Sequence, residues 1–355
     1  MNGNSGGSTV HGSAMPIRRN GFVLMAALWL IVALAAVALD ASIRSKSRRV
    51  AAANVLDTTR ATAAAMAGEA YVRARLTDAL LEQIDVLRAA ANQRRRGGGG
   101  RQPNIRDLFR NADPTEDPWR DPQQLVPAEF ELAADGARFS VRVRDPGAAL
   151  NINAADEEML RSFFADGLGV DWADADRLAQ SILDWRDEDD IPRLNGAERE
   201  QYIDVAAAVL PANREFDDID DLRHVMGMTP EVWEAARPFL TVLGSGRINV
   251  NAAPEQVLVA LPGITPGVAA EIVRLREAGQ LPRSLNALNR LLPSAAAAAI
   301  DREENRFERL ATFRTDEVEV VSDGVVPGSP IRVRATALYQ RSEDGAVLVW
   351  SRIDR

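Results

Sequence analysis

The chain has 355 residues, 42 lysines and arginines against 51 aspartates and glutamates, a formal net charge of −9, two histidines, no cysteine and 5% aromatic residues. That length allows two or three domains and an ample core. The missing cysteines exclude disulfides, thiolate nucleophiles and cysteine-ligated metals; His11 lies in a Gly/Ser-rich start and His224 stands alone, which argues against a histidine cage or an acid–base pair. Acidity argues against wholesale nucleic-acid binding, which needs a basic face, and the composition points away from an enzyme.

Small polar residues fill the first 21 positions, ending in Arg18-Arg19-Asn20-Gly21. Phe22 to Leu39 is then wholly uncharged and apolar, closed by Asp40. As a helix these residues span about 27 Å, enough for a hydrocarbon core, and no polar face marks them as a globular helix. From Phe22 to Asn92 there is no proline and only one glycine, Gly68. Alanine-rich, arginine-punctuated sequence with apolar residues at helical spacing predicts one long helix, with Gly68 the most plausible place for a break. Arg18 and Arg19 precede the apolar span, and Arg44, Lys46, Arg48 and Arg49 follow it, so charge alone leaves the topology open.

Arg94–Arg96 and Gly97–Gly100 read as a flexible linker, continued by a proline-bearing loop to residue 127. Phe130–Leu132, the turn Ala134-Asp135-Gly136 and Phe139–Arg144 read as a β-hairpin. Strand character returns only at Val318–Val321, Ile331–Tyr339 and Val347–Ile353, separated by Asp323-Gly324, Pro327-Gly328 and Asp344-Gly345. Residues 151–305 read as helical, so a helical insertion within a small antiparallel sheet is the simplest account. That insertion contains a repeat. Asn151–Leu160 and Asn249–Leu258 share six of ten residues, Ser181–Arg186 falls against Glu271–Arg276, and Phe216–Leu222 parallels Leu281–Leu288.

In the second repeat, Leu261-Pro-Gly-Ile-Thr-Pro-Gly-Val268 before a helix resembles the helix-hairpin-helix motif of DNA-binding proteins, whose glycines admit a phosphate to backbone N–H groups. Arg274 and Arg276 could assist. A membrane-anchored DNA-binding or uptake protein is therefore the alternative function. Against it, residues 151–240 hold 22 carboxylates and 8 arginines, a field that repels a duplex. Asp184–Asp190 packs five carboxylates into seven residues, which suits calcium, and Asp187, Asp189 and Asp190 are the candidate ligands. A full twelve-residue EF-hand loop is not matched, because its glycine and terminal glutamate are not in place. No catalytic residue or cofactor motif other than this calcium candidate stands out.

Arg19-Asn20-Gly21-Phe22 followed by an apolar helix resembles a prepilin leader, which implies cleavage after Gly21 by a prepilin peptidase and methylation of Phe22. Most pilins and pseudopilins have glutamate at the fifth mature position, where this chain has Ala26. A buried carboxylate needs a partner from a neighbouring subunit, so its absence is expected of a subunit with none above it. Asp184-Trp185-x-Asp187-x-Asp189, Gly196-Ala197-Glu198 with Tyr202, Asn213, Phe216–Leu222 and Ile248–Ala253 complete a resemblance to the minor pseudopilin K family of the type II secretion system. It implies an α+β fold: a pilin-like long N-terminal helix and small antiparallel β-sheet, with a large all-α domain of duplicated helix-hairpin-helix or SAM-like modules inserted in the sheet. The implied divisions are a leader 1–21, a transmembrane part 22–39 and a periplasmic part 40–92 of the helix, and a linker 93–127. Sheet portions 128–147 and 306–355 then flank the inserted domain 148–305, with repeat units at about 151–245 and 249–305. The resemblance further implies a single-pass inner-membrane protein with its bulk in the periplasm. Its implied partners are minor pseudopilins I and J, the prepilin peptidase and secreted proteins, and no nucleic acid. Its implied role is non-enzymatic: to initiate and cap a short pseudopilus.

Overall fold

The computed structural model describes residues 19–95, 108–109, 112–126, 129–131, 136–205 and 209–354. The expected leader up to Arg18, the side chains of Gly21 and Phe22, and the glycine run Gly97–Gly100 lie outside the described residues. The chain falls into two compact units, residues 1–56 and 57–355.

Helix α1 runs without interruption from Arg19 to Arg95. In the first unit its side chains from Val23 to Leu39 are all exposed, and it carries an 18-residue window of mean hydropathy 2.5. By length and composition it can cross a membrane. In the second unit the helix buries Ala61, Ala64, Ala65, Gly68, Val72, Leu76, Leu80 and Ile84, a stripe at spacings of three and four residues. Gly68 lies inside this stripe and does not break the helix. A Cβ there would stand 2.6 Å from the Phe139 ring, so the glycine serves close approach to the sheet.

In chain order the strands are β1 (Glu129–Glu131), β2 (Arg138–Arg144), the two-residue β3 (Leu150–Asn151), β4 (Leu240–Thr241), β5 (Ile248–Asn249) and β6 (Ala311–Thr312), then β7 (Glu317–Val325), β8 (Arg332–Ser342) and β9 (Gly345–Asp354). Five form one antiparallel sheet in the order β1-β2-β7-β8-β9. Alternation puts Phe139, Val141, Val143, Val318, Val320, Ala337 and Tyr339 into the core shared with α1. Gly324, expected at a turn, is paired within β7 to Phe139 and Val333. A Cβ there would lie 2.1 Å from the Ala61 carbonyl oxygen, so this glycine too lets helix and sheet meet.

The segment expected to be a solvated loop is partly core. Phe109, Trp119 and Val126 are buried against α1 and the sheet, and Trp119 Nε1 donates to the Leu76 carbonyl at 3.0 Å. Arg341 of β8, buried among these aromatics, holds both carboxylate oxygens of Asp117 at 2.7 and 2.9 Å and lies 4.9 Å from the centre of the Trp119 ring.

Between the adjacent strands β2 and β7 the chain forms nine short α-helices among the described residues: α2 (Glu157–Ser162), α3 (Trp172–Arg186), α4 (Arg199–Asp204), α5 (Pro230–Ala236), α6 (Glu255–Leu258), α7 (Pro266–Glu277), α8 (Leu285–Leu291), α9 (Ser294–Asp301) and α10 (Glu304–Leu310). Helix continues past residue 305, because Phe307 and Leu310 give α10 an apolar side that packs on the helical core. Two parallel bridges tie the ends of the repeats: β3 with β4, and β5 with β6. The first repeat thus closes at residues 240–241 and the second at 311–312.

Candidate metal centre

Each repeat opens on the same Asn-x-Asn-Ala-Ala turn. Asn151 Oδ1 accepts from the Asn153 N–H at 2.9 Å, and Asn249 Oδ1 accepts from Asn251 N–H at 3.0 Å. The second asparagine of each turn then grips a distant strand of chain, Asn153 at Phe216 and Asn251 at Pro282 and Phe313. The helix that follows returns an arginine to the turn. Arg186 of α3 donates to the carbonyls of Ile152 and Ala155, the latter at 2.7 Å, and Arg276 of α7 donates to those of Val250 and Ala253 at 3.1 and 2.6 Å. These are equivalent atoms in the two copies. Burial lowers the pKa of both guanidinium groups below the usual arginine value.

The arginines suggested for a phosphate are therefore committed elsewhere, since Arg274 pairs with Glu271 at 2.5 and 2.8 Å. The hairpin glycine Gly263 faces protein: a Cβ there would lie 2.9 Å from Ile300 Cα on α9. Its positive φ of 76° and this packing account for the glycine as a structural joint.

The first repeat alone carries a long acidic connection, residues 187–198 between α3 and α4. Asp184, on the last turn of α3, is fully buried and receives the Arg193 backbone N–H at 3.1 Å and its guanidinium at 2.5 Å. Burial raises the Asp184 carboxyl and Arg193 partly offsets this. The same guanidinium reaches Asp187 Oδ2 at 2.6 Å, leaving the buried Asp187 Oδ1 without a hydrogen bond. Asn213, whose backbone sits at φ 48°, donates to the Asp189 carbonyl and to Asp190 Oδ1, both at 3.0 Å.

Donor oxygens of Asp187, Asp189 and Glu198 lie within 4.8 Å of one another. Two of these three are expected from the sequence. Asp190 is not in this cluster, its carboxylate being turned to Asn213. Glu198, which sequence reasoning missed as a ligand, is the most telling member. It is 2% exposed, and apart from the backbone N–H groups that it caps at the start of α4 its carboxylate oxygens have no hydrogen-bond partner. Burial, then the charges of Asp184, Asp187 and Asp190, push its carboxyl up to about 7.

The signal for Glu198 was in the sequence. Counted from Asp187, Asp189 is the third residue and Glu198 the twelfth, positions that supply calcium ligands in an EF-hand loop. The loop departs from that pattern at the glycine, since its sixth residue is Pro192, but has the terminal glutamate. An all-oxygen set with an unpaired buried carboxylate fits a hard divalent cation, calcium before any softer metal. The Trp185–Tyr202–Phe216 cluster backs the loop, with Trp185 stacked on Phe216 at 6.1 Å. The Tyr202 hydroxyl accepts from the Met226 N–H at 2.7 Å, and burial pushes its pKa up to about 12.

The described residues leave the expected processing site, Gly21 and Phe22, without side-chain geometry.

Comparison with known proteins converges on one family. The sequence model for type II secretion system protein K, first domain, matches residues 141–245. The type II secretion system protein K of Pseudomonas aeruginosa is 28% identical over 269 residues, covering 73% of this chain and 72% of that protein. That of Dickeya chrysanthemi is 33% identical over 103 residues, 29% of this chain and 27% of that protein. A chain in the crystal structure of the GspK-GspI-GspJ complex from the enterotoxigenic Escherichia coli type 2 secretion system shares the fold. Its TM-score is 0.57 at 18% identity, covering 88% of this chain and 99% of that one. The family match, the relatives and the fold thus agree in likening the chain to type II secretion system protein K.

Proposed function

We propose that the protein is the non-enzymatic tip subunit of a type II secretion pseudopilus, initiating and capping assembly with minor pseudopilins I and J. The observation that carries this reading is the helical region between the neighbouring strands β2 and β7, in a sheet packed on a long N-terminal helix. An ordinary pilin subunit has a slot above it for the next subunit, and a bulky inserted domain there closes that slot. Ala26 fits the same place, because a terminal subunit has no neighbour whose amine would pair a glutamate.

In this reading α1 anchors the precursor in the inner membrane, with the bulk of the chain in the periplasm. A prepilin peptidase then cuts between Gly21 and Phe22, and the apolar helix leaves lipid to pack beside partner helices through many weak apolar contacts. The helical repeats form the inserted domain, a duplicated helix-hairpin-helix or SAM-like pair. Growth of the fibre beneath this cap pushes folded proteins toward the outer-membrane channel. Asp187, Asp189 and Glu198 would hold calcium, whose charge would offset three carboxylates that the fold draws together. Arg193 already neutralises Asp184, so the cation's task falls on Glu198.

Mass spectrometry of the N-terminus from cells with an active peptidase tests the processing step. An N-methylated Phe22 is expected. An intact leader, or cleavage elsewhere, contradicts it.

A further inference from the structure

The connection 187–198 has an unusual outside. Its two largest apolar side chains, Ile191 and Leu194, are 75% and 93% exposed. A leucine so fully in water normally sits on a loose segment that could fold it away. Here the backbone on both sides is fastened. Arg193 is tied to Asp184 and Asp187, and the Asn195 N–H donates to Gln180 Oε1 at 2.8 Å while its Nδ2 reaches Asp176 Oδ2 at 3.0 Å. Gly196 is pressed so closely on Asp184 that a Cβ would lie 1.9 Å from Asp184 Oδ2. The Ile191 N–H is held by Asp189 Oδ1 at 2.9 Å. Leu194 is thus held outward by a loop that is closed on the helix beneath it. That is the arrangement of a preformed anchor, which binds without an ordering cost.

The surroundings indicate what could receive it. Residues 187–221 carry twelve carboxylates and three arginines, Arg193, Arg199 and Arg214, a local net charge of −9 that equals the net charge of the whole chain. Such a surface repels anionic lipid headgroups and nucleic acid and attracts a basic protein surface.

We infer that residues 187–198 form a cation-stapled docking loop, in which Ile191 and Leu194 enter an apolar socket with a lysine- and arginine-rich rim on a protein partner. The inference rests on the cation reading of Asp187, Asp189 and Glu198. These residues stand at both ends of the loop, so a shared cation fixes the frame from which the two anchors project.

The test places a photo-crosslinking residue at Leu194 of the full chain in cells that assemble the secretion apparatus, with Leu291 of α8 as the exposed control in the second repeat. A protein adduct is expected at 194 and not at 291, on a peptide that combines apolar residues with lysine or arginine. The protein so identified, once purified, should bind the detergent-solubilised full chain. Its affinity should fall at least tenfold for L194D, and at least tenfold between 0.1 and 0.5 M salt. The paired substitution D189N/E198Q should reduce the adduct at least fivefold. An adduct on an acidic peptide or on lipid, equal labelling at 291, or salt-insensitive binding overturns the inference. Calcium-induced stabilisation of the unmodified chain, measured alongside, separates the two readings. If it is present and no adduct forms at 194, docking fails alone. If it is absent and the adduct survives D189N/E198Q unchanged, the cation reading fails and takes the staple with it.

Discussion

After Arg186 the first helical repeat runs through twelve residues before α4 begins, whereas after Arg276 the second turns within eight and enters α8. The second makes that turn with Gly279 at φ 75°, the Gly279 N–H donating to the Arg276 carbonyl and the Gln280 N–H to that of Leu275, both at 2.9 Å. The first replaces this compact ending with the acidic loop. Up to the arginine the copies agree: asparagine turn, arginine clamp and parallel closing bridge. Residues that satisfy backbone groups have kept their places, and the chemistry has entered where the backbone was free to lengthen.

The comparison breaks most visibly at the clamps. Arg186→Met and Arg276→Met each strand two carbonyls beneath the helix and should each cost about 3 kcal/mol in chemical denaturation of the full chain. Unequal losses would show that the two joints are not equivalent in energy.

A second difference lies at the first asparagine of each turn. Asn151 Nδ2 donates to the Leu243 and Gly244 carbonyls, whereas Asn249 Nδ2 donates to Asp145 Oδ2 at 2.7 Å. Asp145 also accepts from Thr315 at 2.8 Å and from the Gly147 N–H at 2.8 Å. Burial outweighs these bonds and pushes its pKa from 3.8 to about 6. The folded chain therefore keeps a proton here that the unfolded chain loses near pH 4. Stability from this group is complete below pH 4 and declines as pH rises through 6, by up to about 3 kcal/mol. Asp145→Asn should remove that part of the pH dependence in melting curves, whereas Asn151→Ala should leave its shape unchanged.

Calcium sharpens the contrast next. At a concentration a hundredfold above its dissociation constant it should stabilise the chain by about 2.7 kcal/mol. Glu198→Gln should abolish the effect, and Glu255→Gln in the second repeat should not change it. The smallest effect concerns the two loop endings. Gly279→Ala should cost about 1 kcal/mol by forcing a Cβ into a left-handed conformation, without altering calcium stabilisation.

Much of this was legible because it is periodic or repeated. The apolar run Phe22–Leu39 and the duplicated asparagine turns need only spacing to be recognised. What stayed hidden depends on partners far away in sequence. Gly68 and Gly324 look like a break and a turn until the opposing Phe139 ring and Ala61 carbonyl are seen. Trp119 and Asp117 read as loop because their partners, Leu76 and Arg341, lie beyond any local window. Arg276 could be read as a phosphate ligand because its actual acceptors are backbone carbonyls, which carry no sequence signature. Glu198 was missed for a different reason: its distance from Asp187 is local, but the acidic run ends at Asp190 and draws the eye away from the twelfth position.

Capping predicts a position as well as an activity. An epitope tag in the exposed turn Ala278–Gln280 of the second repeat, labelled with gold on isolated pseudopili by electron microscopy, reads that position directly. Label at one end of each fibre, and none along its length, is the predicted result. Label distributed along the fibre would contradict the account.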